Sequence, residues 1–426
     1  MFLFGISAMA LGLAASQGDD RTPDDAFIEK ISSLRGVVLH REDDRPTSKA
    51  DTEAAATPAP PQRAATPTSE GTPAVDRPTP RVGRSPSPEP TLPPAPAGGA
   101  NPSGLVVLEV EMVSPLTGPE SPSRTLERWN IKGTDLGITF RHDGKTYIVF
   151  GDTFGRAGIE KPDWRSNVMG VIQQDPRHAY LMTEAITDEN GDAKELLASL
   201  KIPKNEYTVM PTSAISVGDR MYIHYMSIRD WDEQWWGYKF PIVNGSGFAY
   251  SDDGGKTWIK DGVAYWKGDT RFTQTSMVKS DGFVYVFGTP AGRFVPARVL
   301  RVPEDRLLEP GYYRYWDGQS WTSDESRAAI VVDWPVGELS VRWSEYHKRW
   351  LMMYKNEVDH TIVLRTAPRP EGPWDKERVV VTAKEFPSLY APLMLPAVTG
   401  PDVYFTMSNF FPYYNVSLMR VRLAPV

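Results

Sequence analysis

The 426-residue chain contains no cysteine. Disulfides, thiolate nucleophiles and Cys-ligated zinc are therefore excluded. Histidine is almost as scarce. The six, His40, His142, His178, His224, His347 and His360, are scattered without HExxH or similar spacing, so we expect no metal and no cofactor. His224 falls within a predicted strand, where a core position is expected. Basic charge is not in excess either: 47 Lys and Arg stand against 54 Asp and Glu, a net charge of −7. An acidic, well-mixed surface argues against nucleic acid and anionic membrane as partners and fits a neutral polysaccharide, bound by a monomer. The opening MFLFGISAMALGLAASQGDD (residues 1–20) is apolar and ends in small residues, but it lacks the Lys or Arg of a full signal and is short for a membrane span. A weak leader of this kind leads us to expect a secreted or cell-envelope protein with no stable membrane partner beyond the leader; a cytosolic protein with a disordered tail is the alternative.

The first 103 residues also lack Trp and Tyr, while 14 prolines fall between Thr57 and Pro102. Such a segment buries too little apolar surface to fold, so residues 21–103 read as a disordered Pro/Ala/Thr-rich linker. All 13 tryptophans lie between Trp129 and Trp374, which places the folded domain at 104–426.

Within that domain, GTDLGITFRHDGKTYIVFGDTFG reads as a β-hairpin turning at Asp143-Gly144, the pair that two-residue loops prefer. In such a hairpin, facing residues have numbers adding to 287, as do those of Asp135 and Asp152. The two acids should face each other about 4.5–5.5 Å apart, where like charges are destabilising. A retained pair of this kind is the equipment of glycoside hydrolysis; a turn-capping or Arg-paired Asp is the bland alternative. Four more segments repeat the hairpin, from Thr212, Thr275, Glu338 and Ala391, with turns near 218, 281, 346 and 400 and outer strands such as ARVLRV and TIVLRT. Five repeats predict an all-β, five-bladed β-propeller; a Greek-key sandwich is the runner-up.

A propeller gathers the starts of its inner strands around one funnel. Asp135 and Glu338 occupy equivalent positions, which makes Glu338 a third candidate acid. The ends of the second strands bring Asp152, Asp230, Arg293, Asn356 and Asn409 to the same face as candidate sugar-binding groups. Aromatics complete a candidate sugar site: RDWDEQWWGYKF, with Trp231, Trp235 and Trp236, reads as a polar loop offering stacking platforms, and FFPYYN takes the equivalent place in blade five. SDDGGKTW, from Ser251 to Trp258, matches the Asp-box turn of sialidase propellers, and we read it as structural. Sialidase chemistry itself needs an Arg cluster that is not evident here.

GTDLG followed by FGDTFG, with GELSVRW and PEGPW, resembles the endo-D-arabinanases of actinobacteria and their phages, glycoside hydrolase family 183. The resemblance spans roughly Val106 to Leu423. It implies a five-bladed propeller that cleaves internal α-D-arabinofuranosyl links of mycobacterial arabinogalactan and lipoarabinomannan with inversion, with Asp135 and Asp152 as the catalytic acids. Direct opposition across the hairpin fits the roughly 5–5.5 Å of retention better than the 6.5–9.5 Å of inversion. Activity on another furanoside or on L-arabinan, and a non-catalytic carbohydrate-binding propeller, stay open.

Overall fold

The computed structural model describes residues 104–425 except 159–161, 236–237, 397, 399 and 412; for 232–235 and 238–239 it describes the backbone alone. The expected leader and linker lie outside the described residues. Five antiparallel sheets follow one another along the chain. Blade one is β2 (Leu136–His142), β3 (Lys145–Phe150), β4 (Val168–Asp175) and β5 (Ala179–Ala185). Blade two is β6 (Thr208–Val217), β7 (Arg220–Trp235), β8 (Tyr238–Ser251) and β9 (Ile259–Lys267). Blade three is β10 (Gln274–Ser280), β11 (Phe283–Thr289) and β12 (Val295–Pro303), extended by the short β13 (Arg314–Trp316) and β14 (Trp321–Thr322), with β15 (Val332–Val336) also paired to β12. Blade four is β16 (Leu339–Ser344), β17 (Arg349–Asn356), β18 (Thr361–Ala367) and β19 (Arg378–Thr382). Blade five joins β20 (Leu389–Met394), β21 (Asp402–Asn409) and β22 (Asn415–Pro425) to β1 (Leu105–Pro115), the first strand of the described chain. The molecule is a five-bladed β-propeller, and the five predicted hairpins are the two inner strands of each blade.

Turn chemistry explains the blades locally. Asp143 and Gly144 take φ of 44° and 73°, as a primed two-residue turn requires, and Asp281-Gly282 repeats this in blade three at 52° and 78°. Packing then assembles them. The inner strands touch in the cyclic order β2, β6, β10, β16, β20 and back to β2. Apolar clusters fill the gaps between neighbouring blades; one joins Phe248 and Met277 between blades two and three, another Val299 and Met352 between three and four. Serine hydroxyls pin the ring at its centre. Ser213 accepts the Met277 N–H at 2.9 Å, Ser276 that of Val341 at 3.0 Å, Ser340 that of Met394 at 3.0 Å and Ser408 that of Leu136 at 2.8 Å. Arg342 reaches across the bore to the Thr139 carbonyl at 3.1 Å.

Candidate active site

The five inner strands begin on one face, and within one residue of their starts stand Asp135, Thr208, Gln274, Glu338 and Tyr390. The two aspartates lie close there, though not in direct opposition. Leu136 pairs with Phe150 and Ile138 with Val149, leaving Gly137 as a bulge. The extra residue slides the ladder by one, so Asp135 faces Gly151, whose N–H donates to the Asp135 carbonyl at 3.1 Å. Counting from the turn holds only for an unbroken ladder, which corrects the expected pairing of Asp135 with Asp152. Leu136 and Gly137 carry the bulge at φ of 67° and 94°. Gly151 leaves the space that the Asp135 carboxyl occupies, since a Cβ there would run into Oδ1.

The two carboxyls have different surroundings. Asp152 Oδ1 accepts from the Thr208 hydroxyl at 2.7 Å and from the Trp164 indole N–H at 3.0 Å. Burial still pushes its pKa up to about 6 against those bonds. Asp135 Oδ2 accepts from the Tyr390 hydroxyl at 3.0 Å, whereas its buried Oδ1 has no hydrogen-bond partner among the described residues. Burial first, and then the charge of Asp152, push Asp135 up to about 8, with hydrogen bonding from Tyr414 and Tyr390 holding it back. Both carboxyls are almost wholly enclosed, at 6 % and 3 % exposure. Two coupled acids with separated pKa values are able to divide the work of acid and base at neutral pH.

Glu338 and Arg293 come together beside this pair. Arg293 donates to Glu338 Oε1 through Nε at 3.0 Å and Nη2 at 2.9 Å, and Nη1 reaches Glu357 at 3.3 Å. Its guanidinium lies 5.0 Å from the centre of the Tyr390 ring, within cation–π range. Glu338 keeps a buried Oε2 without a partner among the described residues. Gln274 fixes the loop that carries Arg293 by donating to the carbonyls of Pro290 and Gly292 at 3.1 and 2.7 Å.

The other candidates are more dispersed. Asp230 caps the N–H of Trp231 at 2.9 Å. Trp231 is partly buried against the cluster that contains Leu136, Met210 and Tyr390, and its indole N–H has no partner among the described residues. The side chains of Trp235 and Trp236 lie outside the described residues. Their segment is not the loop expected from the sequence: β7 and β8 continue as a paired arm as far as Trp235 and Tyr238. Register shifts at Ser227/Ile228, Ile228/Asp230 and Glu233/Trp235 break the alternation that marks a strand. The arm leans on the Arg293 loop through Phe240 and Phe294, whose rings are 5.8 Å apart. Asn356 is buried and donates to Asp359 and Glu377 at 3.0 and 3.2 Å. Asn409 donates to the Pro387 carbonyl at 3.0 Å. Among the FFPYYN aromatics, Tyr414 bears on Asp135 while Phe411 and Tyr413 are exposed. Asp253 of the Asp box accepts from the backbone of Lys256 and Thr257, both at 3.0 Å, which suits a structural turn. His224 is buried and held neutral, its pKa lowered by burial to about 3.

Reading the sequence missed Tyr390, Tyr414 as a partner of Asp135, Thr208 and Trp164. The repeat in blade five was read from Ala391, one residue past Tyr390, and that in blade two from Thr212, four past Thr208. Trp164 sits in the connection from β3 to β4, where no periodicity marks it.

The fold and these enclosed carboxyls define a propeller with an acid-lined funnel. A family model described as a domain of unknown function, DUF4185, matches residues 120–420, and the chain belongs to that family. Notoamide biosynthesis cluster protein J of Aspergillus sp. (strain MF297-2) is 30% identical over 316 residues, covering 68% of this chain and 83% of that protein. Protein J' of Aspergillus versicolor is 30% identical over 307 residues, covering 66% and 82%. Among solved structures, a family 117 glycoside hydrolase from Zobellia galactanivorans is similar at 12% identity and TM-score 0.45, covering 74% of this chain and 90% of that one. The catalytic domain of a GH62 alpha-L-arabinofuranosidase from Coprinopsis cinerea is similar at 10% identity and TM-score 0.42, covering 75% and 98%.

Proposed function

We propose that the protein is a glycoside hydrolase that cleaves internal α-D-arabinofuranosyl links of D-arabinan, with Asp135 as general acid and Asp152 as general base. One observation carries the chemistry. Two neighbouring carboxyls are enclosed at the funnel, and the pKa of Asp135 lies above that of Asp152. At neutral pH Asp135 keeps its proton and Asp152 does not. In the reaction Asp135 gives its proton to the departing glycosidic oxygen as the anomeric C–O bond breaks. A water oxygen bonds to the same carbon and loses a proton to Asp152. One water is consumed, and the proton gained by Asp152 returns to Asp135 through solvent.

The D-arabinan substrate, cleavage within the chain and inversion rest on the resemblance of GTDLG, FGDTFG, GELSVRW and PEGPW to the arabinanases. A secreted or cell-envelope location, a neutral polysaccharide as partner and a monomeric state belong to the same proposal. Incubation with purified mycobacterial arabinogalactan tests it: short arabinan oligomers should appear on chromatography, and the first-formed anomer in ¹H NMR should be opposite to that of the substrate. Release from L-arabinan alone would move the activity to another furanoside. Binding without products would make this a carbohydrate-binding propeller.

A further inference from the structure

We infer that Tyr390 is a positioning residue that fixes the orientation of the Asp135 carboxyl and favours its ionised form. The inference rests on the acid–base reading above and adds to it the orientation of the acid. A neutral carboxyl has one O–H and one carbonyl oxygen, and either oxygen is able to carry the proton. Here the symmetry is broken. The Tyr390 hydroxyl contacts Oδ2 at 3.0 Å and donates to it when Asp135 is ionised. Oδ1 is buried against the bare Gly151 and has no hydrogen-bond partner among the described residues, while Tyr414 also bears on the carboxyl. A carboxyl enclosed in this way has lost its bonds to water and depends on the few donors that remain around it.

The phenol is itself held in place. Arg293 lies 5.0 Å from the ring centre and is clamped by Glu338 and Glu357, so the ring is braced by a fixed cation. Burial and the charge of Asp135 keep the pKa of Tyr390 well above its ordinary value, which preserves the hydroxyl as a donor throughout the working pH range. The two strand heads share a backbone device. Ala391 follows Tyr390 at φ 48° just as Leu136 follows Asp135 at φ 67°, and in each case the inner ladder shifts register there. As Asp135 passes its proton on, the bond from Tyr390 becomes charge-assisted and strengthens, so it favours the transition state over the ground state.

The test is Tyr390→Phe in the full chain. Turnover on arabinogalactan should fall about 10–100-fold with KM changed less than about twofold, as expected when an interaction specific to the transition state is lost. The basic limb of the pH–rate profile should move upward, because the ionised form of Asp135 loses a donor. Carboxyl titration of ¹³C-labelled Asp135 should show the same upward move whether or not there is turnover. If the wild type hydrolyses no arabinan but the titration moves, the proposed activity falls and the Tyr390 contact stands. If neither titration nor pH profile moves, and activity declines only in step with Tm, the inference is overturned. Should Tyr390→Phe fail to fold, exchange of the Tyr390 hydroxyl proton decides: it should be slow in the wild type and faster in Asp135→Ala, and equal rates overturn the inference.

Discussion

At the scale of single residues, the chemistry depends on a difference between two aspartates of the same type. Asp152 has two donors on one oxygen, whereas Asp135 has a buried oxygen without a partner among the described residues and lies beside the charge of Asp152, so burial and that charge raise it further despite Tyr414 and Tyr390. With limbs near 6 and 8 that belong to the pair, kcat/KM should follow a bell centred near pH 7, measured on soluble arabinan. A profile with a single limb would remove one aspartate from the mechanism. Asp135→Asn and Asp152→Asn should each lower kcat by about 10²–10⁴-fold, the usual contribution of a placed acid or base. Stability moves the other way. Between about pH 4, where an unfolded Asp titrates, and pH 8, folded Asp135 retains a proton that the unfolded chain has released. Stability therefore declines as pH rises across that window and is level above it. Asp135→Asn removes this dependence, so its Tm should exceed that of the wild type by a margin that grows from pH 4 to 8. A lower Tm at pH 8, with activity lost in proportion, would make the pair architecture.

At the scale of elements, bulges aim the side chains. The hairpins, their turns and their place in a propeller were legible because Asp-Gly and Gly-containing turns and alternating strands are local signals. The bulge at Gly137 was not, because one inserted residue leaves no periodic trace beyond the glycine itself. The β7–β8 arm was hidden for the same reason: three register shifts disguised paired strands as a loop. Gly137→Ala checks the first point. At φ 94° a side chain is strained, and a Cβ there would stand 3.0 Å from Thr406, so the change should cost about 1–3 kcal/mol in denaturant unfolding and lower kcat by displacing Asp135. Wild-type turnover in that variant would show that the bulge does not aim the acid. Trp231→Ala checks the arm. Loss of a stacking surface should raise KM on polymer by the equivalent of about 1–2 kcal/mol with kcat little changed. Unchanged kinetics with a lowered Tm would make Trp231 a packing residue.

At the scale of the whole molecule, a propeller has to close, and the closure joins the two ends of the described chain. The strand β1 lies beside β22 from Leu105 opposite Pro425 to Pro115 opposite Ser417, with Arg420 bridging Glu109 at 3.2 Å and Glu111 at 2.9 Å. Composition placed the domain start near residue 104 but gave no hint of this role, since LVVLEVEMVSP has no neighbouring strand in sequence and pairs some 300 residues away. That contact supplies the outer strand of blade five, and Leu105 joins the apolar cluster between blades four and five. Two truncations therefore have opposite outcomes although their ends are only a dozen residues apart. Removing residues 1–103, which hold 16 prolines and no Trp or Tyr, should leave Tm and turnover on soluble arabinan unchanged. Extending the deletion through Pro115 strips the closing strand, exposes the edge of β22 and uncovers the Leu105 cluster. Without closure the ring is an open array of sheets, so this chain should lose cooperative thermal unfolding, aggregate on heating and show no turnover. Circular dichroism melts of the two truncations decide the matter: a stable, active protein lacking β1 would refute closure by that strand, and collapse of the shorter truncation would bring the Pro-rich segment into the folded unit.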